Sequence, residues 1–108
     1  MATTYLSPQQ LKDFAQRVEE VAKKFPGEVV RIRHSFGHDW AGEPAINFRI
    51  VVTDEAVRRY PLAELTGRIR DALIKDLALY DSEYSVYFPY SYFRTKSEED
   101  ELKDPEWE

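Results

Sequence analysis

The chain has 108 residues, 43% hydrophobic and 14% aromatic, which is the composition of a single ordered globular domain. It contains no cysteine, which excludes disulfides, thiolate metal sites and cysteine nucleophiles. The net charge of −5 equals that of the segment from Thr95 to Glu108, which carries seven acidic residues and two lysines. Residues 1–94 are therefore neutral and offer no basic field that would attract nucleic acid.

No targeting or membrane segment is expected. The first ten residues, MATTYLSPQQ, lack the basic and apolar regions of a signal peptide. The longest apolar runs are only a few residues, too short for a membrane span. A cysteine-free chain suits a reducing compartment, so we expect a cytoplasmic protein without membrane contact.

The first predicted element is a helix that begins after Ser7. Ser7 can cap it, Pro8 suits its first turn, and Gln10 completes a capping box. The apolar residues that follow recur at steps of three and four, as in an amphipathic helix: Leu11, Phe14, Ala15, Val18, Val21, Ala22 and Phe25. Pro26-Gly27 predicts its end.

Alternation of period two then predicts two strands between Glu28 and Thr53, joined by a loop of about eight residues. The first strand places Val30, Ile32, His34 and Phe36 on one side and Arg31, Arg33 and Ser35 on the other. The second places Ile46, Phe48, Ile50 and Val52 on one side and Asn47, Arg49, Val51 and Thr53 on the other. Each strand is therefore expected to bury one side.

A second helix and a third strand complete the pattern. Pro61 lies near the start of the helix, and its apolar stripe contains Leu62, Leu65, Ile69, Ala72, Leu73 and Leu77. The segment YSVYFPYSYF predicts the strand. Because Pro89 cannot donate to a sheet, this strand should lie at an edge or carry a bulge.

The element order α-β-β-α-β predicts an α+β fold: a two-layer sandwich with two helices on one face of a three-stranded, mostly antiparallel sheet. A right-handed crossover predicts strand order 2-1-3, with Arg31 and Arg33 on the central strand. In element order the chain resembles a truncated ferredoxin-like fold lacking its first strand, as in the cytoplasmic dimerisation domain of cation-efflux transporters. This resemblance is one of topology and implies no metal chemistry. Residues 1–94 are expected to form the domain, with residues 95–108 as an acidic, solvated tail.

The sheet face without helices is the first candidate site. It should present Arg31, Arg33, Arg49 and Tyr87, residue types that interface cores favour. One interpretation is a homodimer interface, in which Glu43 or the tail acids Glu98 to Glu101 pair with the arginines. The other interpretations are a solvated face and a platform for single-stranded nucleic acid.

The segment HSFGHDWAGEP, from His34 to Pro44, is the second candidate site. A metal site at His34, His38 and Asp39 has unfavourable spacing, because the segment is not helical. Gly37, Gly42 and Asp39 are typical of a turn. We expect the ring of Trp40 to fold back over the hairpin, or to anchor a partner if the tip is a contact.

The sequence therefore predicts a small non-catalytic interaction module of the cytoplasm, a homodimer and a companion or regulatory subunit of another protein. The expected contact residues are Arg31, Arg33, Arg49, His38, Asp39, Trp40, Glu43, Tyr87 and Trp107. No catalytic residue, metal ligand or cofactor is assigned. The main alternative is a single-stranded nucleic-acid-binding domain, and the minor one is an enzyme or metal protein centred on His34 and His38.

Overall fold

The computed structural model describes residues 6–108. Residues 1–5, which carry half of the segment expected not to be a signal peptide, lie outside the described residues. The α-helices are α1 (Pro8–Lys23), α2 (Asp54–Arg59), α3 (Leu62–Asp76) and α4 (Lys96–Leu102). The strands are β1 (Val29–His38), β2 (Pro44–Val52) and β3 (Phe88–Thr95). Short 3-10 helices span Glu83–Val86 and Pro105–Trp107. Within residues 6–108 no helix has the length and apolar content that crossing a membrane requires.

Helix α1 begins as its sequence predicts. The Ser7 hydroxyl accepts from the Gln10 amide at 3.1 Å, and the Gln10 side chain accepts from the Ser7 amide at 2.8 Å. Phe14, Val18 and Val21 on its apolar face are buried. The helix ends at Lys23, and Gly27 reverses the chain with a φ of 77°, a left-handed conformation that favours glycine.

The three strands form one mixed sheet in the order β1-β2-β3. β1 and β2 are antiparallel, and β2 and β3 are parallel. The predicted order 2-1-3 is therefore wrong, and Arg31 and Arg33 lie on an edge strand. Both sides of β2 are buried, including Ala45 and Val51 on the side away from the core helices. Burial on both faces is typical of a central strand.

One face of the sheet meets α1 and α3 in a single hydrophobic core. Phe14 of α1 lies at its centre, with ring centroids 5.1 Å from His34 and 4.8 Å from Tyr84. Helix α3 contributes three buried residues, Leu65, Ile69 and Leu73. The α+β sandwich with a truncated ferredoxin-like order is thus confirmed.

Two elements differ from their predictions. Helix α2 was missed; it begins at Asp54 because the Thr53 hydroxyl caps it by accepting from the Ala56 amide. The third strand begins at Phe88, and the residues before it form a 3-10 helix. Tyr87 is consequently buried against Phe36 in the core, so its predicted position on the opposite face is wrong.

The C-terminal segment folds onto the second face of the sheet. Thr95 and Glu98 form a capping box that starts α4, and Pro105–Trp107 follows as a 3-10 helix. Trp107 is buried, with only 7% of its side chain exposed. The expectation of a solvated tail is wrong, because the indole gains by burial against the sheet.

Candidate functional site

The arginines that the sequence singled out share one sheet face with a fourth, Arg94. Arg33 lies opposite Arg49 across β1 and β2, while Arg31 and Arg94 flank Val51 from either side. Reasoning from the sequence missed Arg94 because the strand was expected to end before it. The pairing of β2 with β1 and β3 brings Arg31, Arg33, Arg49 and Arg94 together on this face.

The C-terminal segment covers this arginine face. Arg31 Nε donates to the Trp107 carbonyl at 2.7 Å, and Arg33 Nε donates to the Glu108 carbonyl. Arg49 lies 3.7 Å from the Glu106 carboxylate. The partners expected from a second subunit are thus supplied by the same chain, as two main-chain oxygens and one carboxylate. The face is not bare, which corrects the basis of the predicted arginine-mediated dimer.

Arg94 and Glu99 form the centre of this contact. The Arg94 guanidinium lies 4.2 Å from the Trp107 ring centroid and 3.1 Å from Glu99 Oε1. Glu99 is 2% exposed, and its Oε2 lies 3.8 Å from Arg31 without a hydrogen bond from any described residue. Of the tail acids proposed as partners, Glu98 to Glu101, Glu99 is the one that meets arginine. A buried carboxylate between two guanidiniums makes the C-terminal segment part of the fold.

A groove of about 600 Å³ remains between the arginine face and α4. Six side chains line it, three basic and three acidic: Arg31, Arg33, Lys103, Glu99, Asp100 and Glu108. Because these charges balance, the groove presents no net positive field to a phosphate backbone. The arginine platform required by the nucleic-acid alternative is therefore covered and neutralised.

The tip of the β1–β2 hairpin is held rigidly by Asp39. Its Oδ1 accepts from the amides of Ala41 and Glu43 at 2.9 and 3.0 Å, and its Oδ2 accepts from the Tyr90 hydroxyl at 2.9 Å. The Glu43 amide contributes most to holding the pKa of Asp39 below its usual range. Gly42, with a φ of 83°, closes the turn. The loop therefore has five residues, shorter than predicted.

Trp40 projects from this fixed turn into solvent. It is 95% exposed, so the expectation that its ring folds back over the hairpin is wrong. His38 and Glu43, at the two ends of the same turn, are also exposed. The turn bonds hold the backbone around Trp40, and the ring finds no apolar surface on its own hairpin.

A shallow groove of about 290 Å³ runs from the tip to β3. Asp39, Glu43 and Pro44 line one side of it, and Tyr80, Val86 and Phe88 line the other. The last three are large apolar or aromatic residues that are more than half exposed. We call Trp40, Tyr80, Val86 and Phe88 the aromatic end of the sheet. Exposed apolar groups at one end of a protein are typical of an interaction surface.

The two histidines lie in different environments. His34 faces the core between Phe14 and Phe36, whereas His38 is exposed at the end of β1. In residues 6–108 no three His, Asp or Glu side chains are grouped so that they would hold a metal ion. His34 is best explained as a partly buried ring packed against aromatic neighbours.

Burial lowers the pKa of His34 from its usual 6.5, and the charge of Arg33 acts in the same direction. The folded state therefore favours the neutral ring, and below pH 6.5 the unfolded chain binds the proton more readily. Above pH 6.5, where His34 is neutral in both states, the free energy of unfolding is not reduced by protonation of this ring. It decreases progressively as the pH falls from 6.5 towards the lower pKa of the folded state.

We predict that the free energy of unfolding falls between pH 7.5 and pH 5, and that the H34Q variant shows a smaller fall because it lacks this group. Urea unfolding at several pH values measures it. The matched control is H38Q at the exposed histidine, which should keep the wild-type difference. An equal pH dependence in wild type and H34Q would contradict this interpretation.

Comparison with protein-family models, with curated proteins and with solved structures found no match to this chain.

Proposed function

We propose that this chain is a small non-catalytic protein-interaction module, a companion or regulatory subunit whose hairpin tip docks on another protein. The observation that carries the proposal is Trp40, a fully exposed indole on a turn fixed by hydrogen bonds. Because the backbone that carries this large ring is already fixed, only side-chain freedom is lost on binding, which suits an interface anchor. A cytoplasmic location, which the cysteine-free composition suits, belongs to the same proposal.

The charges around Trp40 indicate which residue types the partner surface should carry. Asp39, whose pKa is lowered, and Glu43 stand beside the ring, and Tyr80, Val86 and Phe88 extend the apolar surface along the groove. The complementary surface is an apolar pocket for the indole with basic residues at its rim. This chemistry favours a folded protein partner.

We predict that W40A weakens partner binding by about 30-fold or more, as expected for a hot-spot tryptophan. The experiment captures partners from source cells on the immobilised wild type, purifies the one enriched, and measures its affinity for both forms by calorimetry. W40A should leave the stability unchanged within about 0.5 kcal/mol, because the ring is exposed.

The control for this experiment is L62A, which removes another largely exposed apolar side chain, at the start of α3, where Leu62 is 61% exposed. L62A should bind like the wild type. A captured partner that binds W40A as tightly as wild type would overturn the role of the tip.

A further inference from the structure

β3 is an edge strand whose outer side has no backbone partner among residues 6–108. Its ladder from Phe88 to Thr95 pairs with β2 alone. None of the backbone hydrogen bonds outside the regular elements involves residues 88–94. An extended edge of this kind is a template for another strand.

The side chains of β3 leave this edge open to pairing. Natural edge strands are protected by charges, prolines or bulges. Between Phe88 and Phe93 there is no charged residue, and Pro89 is the single protective feature. The other edge, β1, carries Arg31, Arg33 and a register shift near its start. Of the two edges, β3 therefore opposes the addition of a strand less than β1 does.

An ordered row of aromatic rings lies along the β3 edge. Phe88 and Tyr92 are 58% and 48% exposed, and they project on the same side as Tyr90. The Phe88 and Tyr90 ring centroids are 5.0 Å apart, and the Tyr90 hydroxyl is fixed by Asp39. Cross-strand aromatic pairs are among the contacts that stabilise strand pairing.

The absence of charge from Phe88 to Phe93 makes a second copy of the same strand a compatible occupant. A strand that pairs with its own copy about a two-fold axis meets its own charges, so a charged edge repels itself and a neutral one does not. We propose that two copies of this chain join by antiparallel pairing of β3, which makes one six-stranded sheet. The inference rests on the proposed interaction function. It adds a second copy of the chain as the partner at β3, next to the hairpin tip that contains Trp40.

The two-fold axis passes through Tyr90 in this arrangement. Phe88 of one copy then lies opposite Tyr92 of the other, twice, and Arg94 lies beyond the paired neutral residues. Aromatic residues face aromatic residues on the exposed side. Because one strand from each copy is a small contact, the dimer should dissociate on dilution.

Sedimentation velocity over micromolar to millimolar concentrations tests the pairing. Wild type should change from monomer to dimer, and F88K and Y92E should each raise the dissociation constant about tenfold by removing two aromatic pairs. The double variant F88K/Y92E should recover the lost affinity. In it, the introduced lysine of one copy faces the introduced glutamate of the other. Within one chain the two positions are about 13 Å apart, too far to pair with each other.

Both substituted side chains are exposed, so the variants should keep the wild-type unfolding transition, which circular dichroism checks. The control L62K introduces a charge on α3 and should dimerise like the wild type. A wild type that stays monomeric throughout, single variants that dimerise normally, or a double variant without recovery would each overturn the proposal. Partner capture through Trp40 is measured separately, so either result can fail without the other.

Discussion

Replacing Trp107 with alanine should lower the free energy of unfolding by about 3 kcal/mol, towards the lower limit for a buried aromatic residue. The indole is 7% exposed and stacks against the Arg94 guanidinium. Its loss removes apolar burial on the second face of the sheet and a cation–π contact. Urea unfolding followed by circular dichroism measures the change.

The control for Trp107 is the other tryptophan of the chain. W40A deletes the same side chain from an exposed position and should change stability by no more than about 0.5 kcal/mol. If W107A and W40A proved equally harmless, residues 95–108 would have to be treated as a dispensable tail. The covered arginine face would then be open again.

Replacing Glu99 with alanine should destabilise the protein by about 3 kcal/mol. The carboxylate is buried between Arg94 and Arg31, at 3.1 and 3.8 Å. Its removal leaves two guanidiniums, each about a quarter exposed, without this counter-charge in the interface between sheet and α4. Breaking a buried pair costs more than its net contribution, because the remaining charge keeps its desolvation penalty.

Thermal and urea unfolding of E99A are compared with those of E101A, which removes an exposed acid from the same helix. E101A should stay within about 0.5 kcal/mol of wild type. Equal stabilities for E99A and E101A would show that the arginine face does not depend on its internal carboxylate.

These contacts decide where a partner can bind. Four arginines that would otherwise attract an acidic partner are occupied by residues 99–108 of the same chain. The surfaces on which several large exposed apolar groups lie together are the aromatic end and the β3 edge, whereas Leu62 and Leu102 are exposed singly on α3 and α4. A binding site can therefore not be inferred from residue types alone. An exposed arginine is available to a ligand, whereas an arginine covered by its own chain has a structural role.

Features that depend on neighbours in the chain could be predicted. The capping box of Ser7 and Gln10 and the helical period of α1 are local, and the structure confirms both. The alternation in β1 and β2 is confirmed except at Val30, which was expected on the core side but is 38% exposed because the register of β1 against β2 shifts at this position. Pro89 predicted an edge strand because a missing amide hydrogen excludes a central position, and β3 is at the edge. His34 was placed on the core side by the same alternation.

Features that depend on distant parts of the chain could not be predicted. The strand order depends on where the connection through α2 and α3 places β3. The structure places it beside β2, whereas the crossover rule was also compatible with the predicted position beside β1. The environments of Trp40 and Trp107 could not be assigned for a similar reason. The Trp107 indole packs against the Arg94 guanidinium and the sheet, which come from elsewhere in the chain, whereas the Trp40 indole has no such contact and is exposed. Local periodicity specifies which side of an element is apolar, but only the packed structure decides what covers that side.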